Sequence, residues 1–337
     1  MTSHTEDGVD DEVLDTDIYG MDDQDRPDTF SSGCTLLDAA LGGGWAERRI
    51  ANVIGDHSTG KTLLAIEAMA NFKDKHPSAV IYYAEAEAAF DDSYAKKLGM
   101  PDGVEKPRIY TAEQLIEFID DLLASPSDEP TLFILDSVDA LSDNKEMKRD
   151  VDAGSYNMDK SKMLSKWMRK QNQAIADSNI TIMLISQVRE NIGVTFGRKY
   201  RRSGGKALDF YATHCVWLSQ VGKIEKTKQK VPRVVGVKIR ANVDKCKIGP
   251  PHRKVDFPLY FMYGVEDVEA GLNWLHEIKC AEALGYDTDR KVAAAIRGLP
   301  KMSDEEYDDL RARVNALVRE RWESIEEDFA PKRRKYR

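Results

Sequence analysis

Cysteine is scarce in this chain and is not arranged for covalent or metal chemistry. Its four cysteines, Cys34, Cys215, Cys246 and Cys280, stand far apart and form no C-x-x-C pair, so neither a disulfide framework nor a zinc site is indicated. The chain also lacks an apolar run long enough to cross a bilayer, a signal-peptide pattern and internal repeats. We therefore expect a cytoplasmic protein whose cysteines are reduced packing residues.

The composition is that of a globular protein with an uneven distribution of charge. The 337 residues are 42% hydrophobic and 32% charged, which allows one main domain with appendages. The formal net charge is -9, but the acidic residues crowd the first thirty positions. Basic residues collect in 189–206 and in Lys332-Arg333-Arg334-Lys335. The overall charge therefore does not exclude a polyanionic partner, because two cationic segments remain.

Apolar segments alternate with helical patterns from Ser32 onward. Near-continuous apolar strands are predicted at 50–54, 79–83, 131–135, 180–185 and 214–218. Strands of this kind, separated by helices, are typical of a largely parallel sheet that is covered on both faces. Residues 235–243 instead alternate apolar and polar side chains, which predicts a half-exposed antiparallel strand at the edge of the sheet.

A phosphate-binding motif lies between the first predicted strand and a helical run. It reads Gly55-Asp56-His57-Ser58-Thr59-Gly60-Lys61-Thr62, a complete G-x-x-x-x-G-K-[ST] pattern. Its glycines let successive backbone N–H groups point at phosphate oxygens, and the following helix adds the positive end of its dipole. We expect Lys61 to reach the β- and γ-phosphates of a nucleoside triphosphate and Thr62 to coordinate Mg²⁺. A coincidental surface turn is the alternative.

Acidic residues follow two other predicted strands. Asp136 ends the strand at 131–135, beside the expected phosphates, and is a candidate Mg²⁺ partner. Glu85 and Glu87 follow the strand at 79–83, where a carboxylate can orient and deprotonate an attacking water. The alternative for each acid is a solvated loop charge.

Four segments in this order resemble the RecA-type recombinase family. They are 85–99, 135–141, 187–197 and 203–212, and the similarity extends over roughly 31–265. The unusual ends of the chain suggest a phage member of this family, similar to the UvsX recombinases. The resemblance implies an α/β fold with a RecA-like P-loop ATPase core, a mostly parallel central sheet and a small helical C-terminal region.

Three regions follow from this resemblance and from the composition. Residues 1–30 are predicted to be an acidic flexible segment, with Ile18–Met21 as a candidate strand that contacts another protomer. Residues 31–265 are the predicted ATPase and DNA-binding core. Residues 266–337 are predicted to form a helical C-terminal region with a basic tail. Within that region Ser303 and Glu306 form a capping box, which opens a long amphipathic helix whose apolar stripe should dock on the core.

The family's spacing also implies roles around the nucleotide. Glu87, rather than Glu85, matches the catalytic base because it keeps the family's distance to Tyr94. Tyr94 would stack on adenine, with Asp91 beside it.

Further roles concern the γ-phosphate and the protomer interface. Gln187 matches the glutamine that senses the γ-phosphate, and an amide at the end of a strand suits that task because it adds no charge. Lys245 and Lys247 match a lysine pair that reaches the ATP of the neighbouring protomer. Phe210 matches an aromatic residue at protomer contacts, although an ordinary core phenylalanine is an alternative.

A basic, glycine-containing segment at 189–206 is long for a loop inside a compact sheet. Such a segment is suited to fold along a polyanion. The resemblance implies that it binds DNA, together with a first loop at 142–157 and the helix after it. The implied DNA-binding residues are Lys162, Arg169, Arg189, Ile192, Arg198, Lys199, Arg201, Arg202 and Lys206. A surface loop whose charges bind nothing is the alternative.

The resemblance thus implies an ATP- and Mg²⁺-dependent recombinase. It would form a helical filament on single-stranded DNA, pair it with homologous duplex DNA and have no membrane partner. A single-strand-binding protein and a loader protein are candidate partners. Two other function classes remain open: a ring-forming RecA-fold helicase or DNA-repair ATPase, and a regulatory ATP-binding module that does not use DNA.

Overall fold

A computed structural model describes residues 26–87, 90–125, 127–142, 157–190, 200–202, 208 and 210–333. The strands are β1 (Thr29–Phe30), β2 (Trp45–Ala46), β3 (Ile50–Gly55), β4 (Val80–Glu85), β5 (Thr131–Asp136), β6 (Ile180–Glu190), β7 (Tyr200–Arg202), β8 (His214–Lys228), β9 (Val231–Cys246), β10 (Arg253–Tyr260) and β11 (Gly264–Val265). The helices are α1 (Thr35–Ala40), α2 (Lys61–Lys75), α3 (Asp92–Lys97), α4 (Ala112–Ala124), α5 (Asn157–Asp177), α6 (Asp267–Glu277), α7 (Asp289–Gly298) and α8 (Asp304–Phe329). The candidate strand at Ile18–Met21 lies outside the described residues.

Nine of the described strands form one sheet, in the order β11-β10-β9-β8-β3-β6-β5-β4, with β7 paired to β6. The pairs from β8 through β3, β6 and β5 to β4 are all parallel. Every residue of β3 and β5 is buried. The predicted α/β fold with a mostly parallel central sheet is confirmed.

Alternate side chains of the central strands enter two separate hydrophobic clusters. In β3, Ala51 and Val53 belong to a cluster that also contains α1, α2, α6 and α8. Ile50 and Ile54 belong to the other cluster, which contains residues of α4 and α5. Since successive residues of a strand point to opposite faces, the sheet is covered on both sides. This explains why the central strands read as continuous apolar runs.

The prediction that 235–243 forms an edge strand is wrong. These residues belong to β9, which is antiparallel as expected but pairs with β8 on one side and with β10 on the other. Val237, Ile239 and Ala241 are buried, whereas Lys238 and Arg240 are exposed. The alternation therefore arises because one face of β9 is buried. The edge of the sheet lies beyond β10 and β11.

The C-terminal helix packs on the core as its apolar pattern predicts. Its capping box is formed, since Ser303 Oγ accepts from the backbone N–H of Glu306, whose side chain accepts from the N–H of Ser303. Val314 and Val318 are buried against Gly271 of α6, where a β-carbon would collide with Val314.

A buried carboxylate links α1, α6 and α8. Asp267 accepts hydrogen bonds from the backbone N–H and the hydroxyl of Thr35, at 2.7 and 2.9 Å. It also accepts one from Asn315 Nδ2 at 2.8 Å. Because buried carboxylates are costly unless their oxygens are hydrogen-bonded, these contacts fix how the three helices meet.

Residues just before α1 contact parts of the chain that are distant in sequence. The Arg26 guanidinium donates to the carbonyls of Gly42 and Ile248, and Phe30 is buried against Phe72 of α2. No helix among the described residues has the length and apolarity needed to span a bilayer.

Candidate nucleotide and DNA site

The phosphate-binding motif connects the carboxyl end of β3 to the first turn of α2. Gly60 precedes the helix with φ 84°, and among the described residues no side chain caps this helix start. A β-carbon on Gly60 would collide with Leu259, and one on Gly55 with Thr59. The N–H groups of the first helical turn thus face the loop with no capping side chain, which is the arrangement that binds phosphate.

Lys61 is largely buried at the start of α2. Its Nζ donates to the carbonyl of Asp56 at 2.7 Å, inside the same loop. Burial lowers the pKa of Lys61, and the nearby carboxylates of Asp136 and Glu87 oppose that shift. A desolvated ammonium interacts more strongly with a phosphate than one in bulk water does, so this position suits nucleotide binding.

The structure brings the two predicted Mg²⁺ residues together. Thr62 Oγ1 donates to Asp136 Oδ2 at 2.7 Å, and Tyr83 OH donates to the same oxygen at 3.0 Å. Burial raises the pKa of Asp136, and these two hydrogen bonds oppose the rise. A hydroxyl and a carboxylate at the end of a phosphate loop are oxygen ligands of the kind that Mg²⁺ prefers. The residues present therefore fit ATP with Mg²⁺.

The predicted base and the predicted γ-phosphate sensor lie in direct contact. Gln187 Nε2 donates to Glu87 Oε1, and Ser137 Oγ donates to the same oxygen at 2.6 Å. Glu85 instead accepts from the backbone N–H of Glu87 at 3.0 Å. The parallel register of β4, β5 and β6 brings these groups to one edge of the sheet.

Sequence reasoning missed three polar residues here. Tyr83 lies in the strand 79–83 predicted from the sequence, two positions before Glu85, and so shares its face of β4. Ser137 and Asp139 follow Asp136 in the chain. The backbone N–H of Gln187 donates to Asp139 Oδ2 at 2.6 Å. Their position directly after a strand that ends in an acid was the available signal.

Asp91 and Tyr94 lie at the start of α3. Asp91 caps this helix, accepting from the backbone N–H groups of Ser93 and Tyr94 at 2.9 and 3.1 Å. The pKa of Asp91 is lowered, mainly by the hydrogen bond from the Ser93 side chain and then by that from the backbone N–H of Tyr94. Tyr94 OH donates to the carbonyl of Phe261, beside the turn between β10 and β11. Their contact with adenine stays a prediction, and helix capping is a role of Asp91 that was not predicted.

Lys245 and Lys247 lie away from the phosphate loop of their own chain. Lys245 Nζ donates to the carbonyl of Phe210 at 2.7 Å, and Lys247 Nζ to that of Tyr211 at 3.4 Å. Residues 210 and 211 precede β8, so both ammonium groups lie at the amino edge of the sheet. Burial lowers the pKa of Lys247, and the nearby positive charge of Arg49 lowers it further by a smaller amount. The phosphate loop follows β3 at the carboxyl edge.

The segment after Gln187 begins as a β-ribbon. β6 continues to Glu190 and pairs antiparallel with β7, with Arg189 opposite Arg201 and Val188 opposite Arg202. The prediction of a loop over all of 189–206 is therefore wrong for 189–190 and 200–202, which belong to strands. Ile192, Arg198, Lys199 and Lys206 lie outside the described residues, as does 143–156 of the first predicted loop.

Four basic residues of the helix after the first predicted loop are exposed. Lys162, Lys166, Arg169 and Lys170 are all exposed on α5. Arg169 Nε donates to Tyr211 OH at 3.3 Å. This links α5 to the residues that accept hydrogen bonds from Lys245 and Lys247. DNA binding by Lys162 and Arg169 stays a prediction.

Comparisons with known proteins agree with this arrangement. A model of the RecA N-terminal domain matches residues 16–266. Protein RecA of Borrelia hermsii (strain HS1 / DAH) is 34% identical over 240 residues, and that of Paracoccus denitrificans 36% over 241; each alignment covers 71% of this chain and 65% of the relative. Protein RecA of Corynebacterium pseudotuberculosis (strain C231) is 31% identical over 303 residues, 86% of this chain and 79% of the relative. The chain thus spans just under two thirds of the length of the first two relatives.

Proposed function

Because this chain belongs to the RecA family, we propose that it is an ATP-dependent homologous recombinase. It forms filaments on single-stranded DNA, pairs that DNA with homologous duplex and exchanges strands. The observation that carries the proposal is the position of Gln187. Its side chain contacts the candidate base Glu87, and its backbone opens the ribbon of β6 and β7 that leads into the basic segment.

The residues at the carboxyl edge of the sheet have separate roles in the proposed hydrolysis. The loop from Gly55 to Thr62, which includes Lys61, would hold the phosphates. Thr62 and Asp136 would hold Mg²⁺, which would supply charge stabilisation when bound. Glu87 accepts the proton of the attacking water. Gln187 orients that water through its amide, since it already lies against Glu87.

The proposed assembly rests on the position of Lys245 and Lys247, which lie at the opposite edge of the sheet from the phosphate loop. Gly55 pairs with Leu218, whereas Lys245 pairs with Cys215, three residues and so about 10 Å further toward the amino edge. From there Lys245 and Lys247 serve the nucleotide of a neighbouring protomer. A head-to-tail contact generates an open helical filament when its rotation does not close into a ring, and we propose the filament for this chain. The cations would stabilise charge on the γ-phosphoryl group, so hydrolysis requires assembly.

DNA binding is assigned to the basic segment beyond β6 and to the cations on α5. Contacts of Arg189, Lys162 and Arg169 with phosphates would make binding tight and independent of sequence. A single-strand-binding protein and a loader protein are proposed partners on the strength of the family resemblance.

The experiment that tests the proposal is ATP turnover with and without single-stranded DNA. Since Gln187 connects the hydrolytic residues to the DNA segment, we expect single-stranded DNA to raise turnover at least about tenfold, within the usual range of couplings between sites. Duplex DNA at the same nucleotide concentration is the comparison. A turnover rate that does not respond to any DNA would reject the proposal in favour of an ATP-binding module that does not use DNA.

A further inference from the structure

A short turn joins the strand that ends in Asp136 to the first predicted DNA loop. It is the 3₁₀ turn Val138–Ala140, and Leu141 and Ser142 follow it. Ser142 is held in place, because its N–H donates to the carbonyl of Tyr110 and its carbonyl accepts from the N–H of Ala112. The described chain stops at Ser142 and resumes at α5.

Asp139 connects this turn to the second predicted DNA segment. Its Oδ2 accepts the backbone N–H of Gln187 at 2.6 Å. Its Oδ1 is buried and has no hydrogen-bond partner among the described residues. Gln187 is thereby held at two points, with its side chain on Glu87 and its backbone on Asp139. One residue later, at Val188, the same strand begins to pair with β7 at the base of the ribbon.

Lys160 holds the same turn from the far end of the first predicted loop. It lies near the start of α5 and is only 5% exposed. Its Nζ donates to the carbonyl of Leu141 at 2.7 Å and to that of Val138 at 3.3 Å. The turn is therefore in contact with both ends of the first predicted DNA loop and with the start of the second.

We propose that Asp139 is a positioning residue that couples both DNA loops to the nucleotide. When Glu87 and Gln187 change position with the nucleotide state, Asp139 carries the change into the turn, and Lys160 carries it to the start of α5. The described residues that border the two predicted loops then change position together. This inference rests on the proposed DNA-dependent turnover, which it deepens by naming the group that transmits the coupling.

The test compares Asp139→Ala, Asp139→Asn and a control, Asp128→Ala, which removes an exposed acid between α4 and β5. ATP turnover is titrated with single-stranded DNA, and nucleotide affinity is measured separately. We expect the ratio of turnover with and without DNA to fall about tenfold in Asp139→Ala. In Asp139→Asn it should fall no more than about threefold, because the amide oxygen still accepts the N–H of Gln187. Asp128→Ala should keep the ratio of the unmodified chain.

A merely structural role of Asp139 gives a different result. It would lower turnover equally with and without DNA and leave the ratio as it is, which would overturn the proposal. An unmodified chain that DNA does not stimulate would instead reject the proposed function, whatever the variants do.

Hydrogen exchange on the unmodified chain tests the same coupling without any variant. Addition of an ATP analogue should change exchange in 138–142 and in 187–190 together, because one carboxylate joins them. A change confined to one of these segments would overturn the role of Asp139 and would leave the proposed function standing.

Discussion

Lys61→Ala will remove nucleotide binding, with a loss of affinity for ATP of at least about 100-fold. The ammonium is largely buried at the start of α2 and contacts the loop that cradles the phosphates, and charge interactions at such a site are strong because water does not screen them. Filament formation that depends on ATP should disappear with it. Fluorescent-nucleotide titration, with a thermal melt to establish that the variant is folded, measures the effect.

Lys73→Ala is the matched control for this substitution. Lys73 lies near the other end of the same helix, where its Nζ donates to the carbonyl of Ala79. Its removal should leave nucleotide affinity within about threefold, as for most surface substitutions. Nucleotide binding in folded Lys61→Ala that matches this control would contradict the assignment of the phosphate loop.

Glu87→Gln will retain ATP and DNA binding and lose turnover by at least about 100-fold, the lower end of what general bases contribute. The glutamine has the same shape, and its amide oxygen can still accept from Ser137, which now contacts Glu87 at 2.6 Å. It cannot accept a proton from water at neutral pH. Turnover and DNA affinity measured on the same preparation separate binding from hydrolysis.

Glu85→Gln separates the two candidate acids. Glu85 accepts from the backbone N–H of Glu87, and a glutamine oxygen can do the same, so turnover should stay within about threefold. If Glu85→Gln removed turnover and Glu87→Gln did not, the base would be Glu85 and the spacing to Tyr94 would have misled the assignment.

The part of this fold that the sequence predicts is its locally encoded part. The strand, phosphate loop and helix from Ile50 to Lys75 follow one another without interruption, so composition and spacing suffice to identify them. The capping box at Ser303 is similarly local, since the residues that bond are three positions apart.

The features that the sequence did not predict depend on long-range pairing. Apolar and polar side chains alternate over 235–243 because one face of β9 is buried. No local pattern predicts that β10 and β11 lie between β9 and the edge of the sheet. Ser137 contacts Glu87 only when β5 aligns with β4. Asp139 contacts Gln187 only when β5 aligns with β6. The base of the ribbon after Gln187 likewise needs β7, ten residues further along the chain.

The most direct test of filament formation is electron microscopy of the full chain with a slowly hydrolysed ATP analogue and single-stranded DNA. Because Lys245 and Lys247 lie at the amino edge of the sheet and the phosphate loop follows the carboxyl ends of its parallel strands, adjoining protomers should share each nucleotide. The expected image is a continuous helical filament that needs both the analogue and the DNA. Closed rings, or separate protomers bound along the DNA, would contradict it.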